Sequence, residues 1–493
     1  MLKSRNFFLV VAAIVVLRLI GMAYVPLTDT SEPRYAEIAR LMVTSNDWIT
    51  LWFEPGTPFW GKPPLAFWLE ALSFKMLGIN EFAVRLPSLL ATLATLWLLW
   101  HFALQQSSQR VAQSAVLIYL TTALVFLSSG AVLTDPFLTL GVAWSLTAFC
   151  LAVAEPRWYW RYGFFLGLAI GLLAKGPLAL VLVFAPIAGW AFLYRSGIAF
   201  QHLRALPWLK GSLLTLLISL PWYVAAELKT PGFLNYFIVG EHFMRFIDPG
   251  WGGDMYGTAH KNVKGAIWGH WVMAAFPWGF LAIVLLLGHL FSTAGRSMLR
   301  SAIVQPVNVY LLLWALFTPV FFTPAGNVLW TYILPSLPAF ALLLAMALEP
   351  AFIKNRFIRI VSLLLIWLVP LVSMGFLIEI ARNPHSIKSE KSLVEFVRKS
   401  VDAETMGTGR TPTMIYYLGK PPFSARFYAQ ENVRRTSLKD LCHGNMPPGF
   451  HYVAIPRWRW QKLEQQVNAS LTKLFENNRY VLTRVSGREL CPR

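Results

Sequence analysis

Long apolar runs divided by short basic loops constrain this chain more than any other feature. Runs of about 20 nearly uncharged residues recur from the N-terminus to about residue 380. At 1.5 Å of rise per residue, such a run matches the hydrocarbon thickness of a bilayer. Inside lipid the backbone must satisfy its own hydrogen bonds, so the runs read as helices; barrel strands would be shorter and would alternate in polarity. Composition agrees, at 56% hydrophobic and only 14% charged. The spans fall at residues 6–26, 86–104, 111–127, 133–154, 162–174, 177–194, 209–226, 265–289, 307–322, 330–348 and 360–380. The expected fold class is therefore all-α and polytopic, with roughly eleven transmembrane helices.

Lys3 and Arg5 precede the first run, and no small-residue cleavage site comes before Asp29, so that run reads as an uncleaved span with a cytoplasmic N-terminus. The loops then expected inside hold Arg110, Arg157 with Arg161, Arg195 with Arg204 and Lys210, Arg296 with Arg300, and Lys354 with Arg356 and Arg359. Every one is basic, as the positive-inside bias requires. Much of the +19 net charge sits in such loops and is no signal for nucleic acid. The opposite, periplasmic face collects residues 27–81, 128–135, 175–177, 227–264, 322–329 and everything after 380. Residues 33–45 and 64–77 read as short amphipathic helices of the first loop. From 381 to 493 the chain turns polar, with strands expected at 413–417 and 451–455 and helices at 392–401 and 460–477. The division is thus a membrane domain, 1–380, and a small periplasmic α/β domain, 381–493. Cys150 lies in an apolar run and reads as core, whereas Cys442 and Cys491 would be able to pair in an oxidising compartment.

The residues that carry chemistry gather on the periplasmic side. Asp29, Glu32 and Glu37 follow the first span, and Asp135 stands at a span end. A carboxylate at a membrane edge points to function, although Asp135 before Pro136 also fits a helix cap, and Glu37 fits a solvated helix face or a partner for Arg34 or Arg40. Lys62 is held between Gly61 and Pro63-Pro64, and Lys175 precedes Gly176-Pro177. With Arg34, His242 and Arg245 they form a cationic set suited to a lipid-linked phosphate. Each alone fits snorkelling to the interface, and the stretch 235–246 fits a membrane-surface helix with an aromatic belt equally well. The sequence has no zinc-ligand spacing, Walker loop, Rossmann glycine pattern or Gly-x-Ser-x-Gly elbow.

In order along the chain, Asp29…Glu32-Pro33-Arg34-Tyr35-Ala36-Glu37-Ile38, Lys62-Pro63-Pro64, Thr134-Asp135, Lys175-Gly176-Pro177, Glu241-His242-x-x-Arg245-Phe246 and Thr331-Tyr332-Ile333-Leu334-Pro335 resemble the motifs of the bacterial lipid A 4-amino-4-deoxy-L-arabinose transferases. These belong to the protein O-mannosyltransferase-like group of the GT-C superfamily. The resemblance implies transfer of a sugar from undecaprenyl phosphate to lipid A or another periplasmic-face acceptor of the inner membrane, with inversion at the anomeric carbon. Lys62, Lys175, Arg245, His242 and Tyr332, with Arg34 and Tyr35, would bind the lipid phosphate and donor. Asp29, Glu32 and Asp135 would be the catalytic acids. Where many relatives place Asp directly before Glu, this chain has Ser31, with its Asp at position 29. No cofactor is obligatory and no metal site is expected, although a divalent cation bridging carboxylates and phosphate is compatible with the chemistry. The alternatives are a protein O-mannosyltransferase-like or O-antigen-modifying enzyme and, further off, a lipid or solute transporter. A transporter more typically carries its charges at the midplane.

Overall fold

The computed structural model describes residues 4–194, 197–248, 250–257, 261–404, 414–442, 450–466 and 472–486. It divides into two compact units: Met1–Met22 with Met42–Met374, and Ala23–Leu41 with Gly375–Arg493.

The first unit is helical. Among the described residues, six helices are long and apolar enough to cross a membrane, counting Arg356–Arg382, which runs on into the second unit: Arg5–Tyr24, Glu81–Gln106, Asp135–Ala154, Trp208–Lys229, Trp330–Pro350 and Arg356–Arg382. Two further pairs, Ala266–Ala274 with Trp278–Phe291 and Thr293–Val304 with Pro306–Phe322, bend by 106° and 90° and bring the number to eight if each is one crossing. Each bend has a proline at or beside it, Pro277 and Pro306, where a helix loses a donor. The run at 111–127 is also interrupted. Thr122 adopts an extended conformation between Gln109–Thr121 and Ala123–Ser128. Trp330–Ser336 is a 3-10 turn ahead of Leu337–Lys354.

Lipid offers no hydrophobic drive between helices, so close backbone packing has to hold them. Helices Asp135–Ala154 and Trp158–Lys175 achieve it through glycines. A Cβ on Gly141 would lie 2.6 Å from the Gly171 nitrogen and 2.7 Å from the Gly167 carbonyl oxygen. Any side chain at Gly141 would force these two helices apart.

The second unit carries a five-stranded sheet built from β3 (Ile415–Leu418), β4 (Val433–Thr436), β5 (Phe450–Pro456), β6 (Lys473–Glu476) and β7 (Tyr480–Ser486), in the order β4-β3-β5-β7-β6. Here β1 and β2 denote a small hairpin of the first unit, Trp52–Glu54 and Thr57–Pro58. β3 runs parallel to β4 and β5, and β7 runs antiparallel to β5 and β6. All four residues of β3 are buried, because Ile415 and Tyr417 pack with helix Lys391–Glu404 on one face while Tyr416 and Leu418 pack with Arg457–Gln466 on the other. Of the helix expected at 460–477, the described part is Arg457–Gln466, and 473–476 is instead the edge strand β6. Pairing with β7 overrides its weak local preference there. Thr413 and the expected Cys442–Cys491 pairing lie outside the described residues.

Candidate active site

Two loops of the first unit deliver the site. In the first, the Asp47 carboxylate accepts hydrogen bonds from the Ile49 and Thr50 amides (3.1 and 3.0 Å), from Trp52 Nε1 (3.0 Å) and from Lys229 Nζ (2.7 Å). Trp222 Nε1 donates to the Ile49 carbonyl at 3.0 Å, and Trp60 Nε1 to Thr230 Oγ1 at 3.1 Å. The loop is thereby pinned along helix Trp208–Lys229, and Lys62 is presented just before helix Leu65–Leu77.

The second loop begins where the Glu227 carboxylate accepts from the Gly232 and Leu234 amides, and continues as a π-helix, Asn235–Met244. Such wide turns often mark functional sites. This one directs Glu241 at two cations. Lys62 Nζ donates to Glu241 Oε2 at 3.2 Å, and Arg245 Nη1 bridges both Glu241 oxygens at 3.2 and 3.1 Å. The Tyr236 hydroxyl donates to Glu241 Oε1 at 3.4 Å, and Asp254 Oδ2 lies 3.7 Å from Arg245. Burial pushes the Glu241 carboxyl up, but Lys62 and Arg245 more than offset it and hold it below its ordinary value. The Tyr256 hydroxyl accepts from the Trp60 amide, donates to the Pro58 carbonyl, and is pushed up to about 12 by burial.

His242 links this group to a second ion pair. Its Nδ1 and Nε2 face the carbonyls of Phe237 and Lys175 at 2.8 and 2.9 Å. Burial holds the ring below its ordinary value despite these two acceptors, so the neutral ring donates to one of them. Lys175 Nζ then pairs with Asp135 Oδ1 at 2.7 Å and lies 4.7 Å from the Tyr332 ring centroid. The capping alternative for Asp135 does not hold: it is the first helical residue, one past the N-cap position of Thr134, and its carboxylate is bound to Lys175. Lys62, His242, Arg245, Lys175, Asp135 and Tyr332 thus form one cluster.

Asp29, Glu32, Arg34 and Tyr35 belong to the second unit. Asp29 accepts from the Ser424 amide (3.0 Å), the Ser424 hydroxyl (2.5 Å) and Arg479 Nη1 (2.6 Å). Arg479 also lies 3.6 Å from Glu390, whose other oxygen accepts from Asn477 at 3.0 Å. Burial pushes Glu390 up to about 7. The Arg34 guanidinium lies over the rings of Tyr35 and Phe423. Glu37 is buried and paired with Arg40 at 2.7 and 2.8 Å, so its solvated alternative is excluded.

Sequence reading passed over Glu241, Asp254, Tyr236 and Tyr256 as site residues. Only Glu241 carried a signal, the four-residue spacing to Arg245 that makes such pairs neighbours on a helix. Among the described residues no three His, Cys, Asp or Glu side chains gather closely enough to hold a metal ion.

Comparison with known proteins bears out the expected resemblance. Residues 61–224 match the family model of dolichyl-phosphate-mannose-protein mannosyltransferases. The chain is 31% identical over 325 residues to an undecaprenyl phosphate-α-4-amino-4-deoxy-L-arabinose arabinosyl transferase of Aeromonas hydrophila, an alignment covering 65% of this chain and 56% of that protein. It is 33% identical over 332 residues to the protein of the same name in Edwardsiella ictaluri, covering 65% and 55%. The chain thus spans somewhat over half the length of these relatives. The crystal structure of ArnT from Cupriavidus metallidurans bound to undecaprenyl phosphate superimposes with a TM-score of 0.74 over 98% of both chains at 17% identity, so the two share a fold.

Proposed function

We propose that this chain is a glycosyltransferase of the GT-C type, which moves a sugar from undecaprenyl phosphate to lipid A at the periplasmic face of the bacterial inner membrane. The observation that carries this reading is the partly buried group of Lys62, Glu241 and Arg245 beside Tyr332, in a chain similar over 65% of its length to arabinosyl transferases named for that donor. The sugar is 4-amino-4-deoxy-L-arabinose on the strength of those relatives. In this reading residues 1–380 form the membrane-embedded transferase domain, its shorter and broken helices bringing the embedded segments to about eleven. Residues 381–493 form a periplasmic α/β domain.

The reaction breaks the bond between C1 and the donor phosphate oxygen and forms a bond from C1 to an acceptor oxygen, inverting that carbon. The leaving lipid phosphate gains a negative charge. Lys62 and Arg245 stabilise that charge, and the Tyr332 hydroxyl, within electrostatic range of both, donates to it. Glu241 holds the two cations at one place, so no reorganisation is needed as charge develops. Lys175, neutralised by Asp135, shapes the wall beside Tyr332, and His242, set between the Phe237 and Lys175 carbonyls, packs the π-helix against that wall. A lipid A phosphate acceptor is already ionised and needs no base. A hydroxyl acceptor does, and Asp29 and Glu32, with Arg34 and Tyr35 as donor ligands, enter the reading on the resemblance alone.

The test is mass spectrometry of lipid A and of undecaprenyl-phosphate sugars from deletion cells complemented with wild type, Lys62→Ala or Arg245→Ala. Loss of one lipid A glycoform with accumulation of its lipid donor, restored by wild type only, is the expected result. An accumulated donor with unchanged lipid A moves the acceptor to another glycan or to protein. No change in either pool refutes the transferase.

A further inference from the structure

A cavity of about 180 Å³ opens between helices Ser4–Tyr24, Gln109–Thr121, Trp278–Phe291 and the first half of Arg356–Arg382, and no residue of the charged cluster lines it. Phe7, Leu117, Trp278 and Ile366 give it mostly apolar walls. Four polar side chains also line it: Gln113, Ser114, Arg359 and Ser362. Ser362 is 4% exposed, and its Oγ has no hydrogen-bond partner. Gln113 and Ser114 are 6% and 8% exposed, and neither side chain makes a hydrogen bond among the described residues. Elsewhere in the bundle hydroxyls such as those of Thr92, Thr95, Thr121 and Thr139 turn back onto the carbonyl four residues earlier. Three adjacent groups facing one cavity without doing so point to a ligand with polar atoms, because unsatisfied groups at membrane depth are costly.

Phe7, Gln113 and Arg359 all lie in the first turns of their helices, on the side the basic loops assign to the cytoplasm. The volume equals several waters at about 30 Å³ each, yet mostly apolar walls suit an alkyl chain better. A basic residue beside an inter-helix pocket on that side suits an anionic head group. We propose that this cavity binds an anionic phospholipid of the cytoplasmic leaflet. An acyl chain lies against Phe7, Leu117 and Trp278. The ester oxygens accept from Gln113, Ser114 and Ser362, and the phosphate faces Arg359. This site is independent of the transferase reading.

The test is native mass spectrometry of the full chain in mild detergent, titrated with phosphatidylglycerol or with phosphatidylcholine of the same acyl length. Wild type is expected to retain one phosphatidylglycerol with roughly fivefold preference, the worth of one basic residue near an anionic surface. Arg359→Gln is expected to remove the preference, and Ser362→Phe, which fills the cavity, to remove the tight adduct of either lipid. If Ser362→Phe does not fold, Gln113→Leu replaces it, with affinity expected to fall several-fold. Equal retention of both lipids by wild type, retention of neither, or an adduct unchanged in Ser362→Phe or Gln113→Leu overturns the proposal.

Discussion

Replacing Lys175 by Met removes one half of an ion pair whose two side chains are each 8% exposed and whose charged atoms lie 2.7 Å apart. The Asp135 carboxylate is left buried with no opposite charge in contact, a loss that costs about 3–5 kcal/mol. Asp135→Asn strands the ammonium instead, at a similar cost, with its remaining neighbour the Tyr332 ring at 4.7 Å. The double variant strands neither charge. Its stability is expected to lie within about 2 kcal/mol of wild type, which gives a coupling energy of about 4 kcal/mol or more between the two positions. Thermal unfolding in detergent, followed by the fluorescence of the 21 tryptophans at one fixed scan rate, measures all four proteins. Single variants whose losses simply add within about 0.5 kcal/mol would refute the reasoning, since the pair would then be solvated rather than buried. Restored stability without restored transfer would assign the pair to catalysis as well as to folding.

Glu241→Gln frees Lys62 and Arg245 from their shared anion. Inhibition by undecaprenyl phosphate is expected to tighten by roughly tenfold or more while turnover falls, because a carboxylate beside the leaving phosphate repels it; unchanged inhibition in a donor-transfer assay refutes that role. Glu390, pushed up to about 7, keeps its proton in the folded chain over a range where an ordinary glutamate has lost it. The folded state therefore binds more protons between about pH 4.5 and 7, and stability is expected to fall as pH rises through that window, by up to roughly 3 kcal/mol. Glu390→Gln is expected to flatten the pH profile of the thermal midpoint, and a profile identical to wild type counts against this assignment. Cysteines placed at the exposed Thr57 and Arg434, in a chain whose three native cysteines are replaced by serine, are expected to react with an impermeant thiol reagent in spheroplasts with sealed membranes. Labelling of either only after the membrane is opened reverses the orientation.

Much of the membrane architecture was legible because hydropathy and charge add along the chain. Residues 86–104, 133–154, 209–226 and 360–380 each needed only length and apolar content to be read as spans, and each coincides within a few residues with a long helix or its central part. Helix 33–45 was visible from its periodicity and its proline, and it forms as Ser31–Ser45. Other runs were legible in place but not in shape, because breaks at Thr122, Pro277 and Pro306 depend on what each half packs against.

The sequence by itself determined that this chain is a bundle of apolar helices with its reactive residue types in particular loops, and its ordered motifs determined the resemblance that its relatives bear out. Only the tertiary structure decided which charges meet. Lys62 and Glu241 are 179 residues apart, Asp135 and Lys175 are 40, and Asp29 and Arg479 are 450. Nothing local sets those pairings. Removing a charge from water is costly at each site separately, and only the folded chain brings together the opposite charges that offset the cost. The same physics sets the partners of Asp29: its carboxylate is held by Ser424 and Arg479, residues that nothing in the first loop could announce.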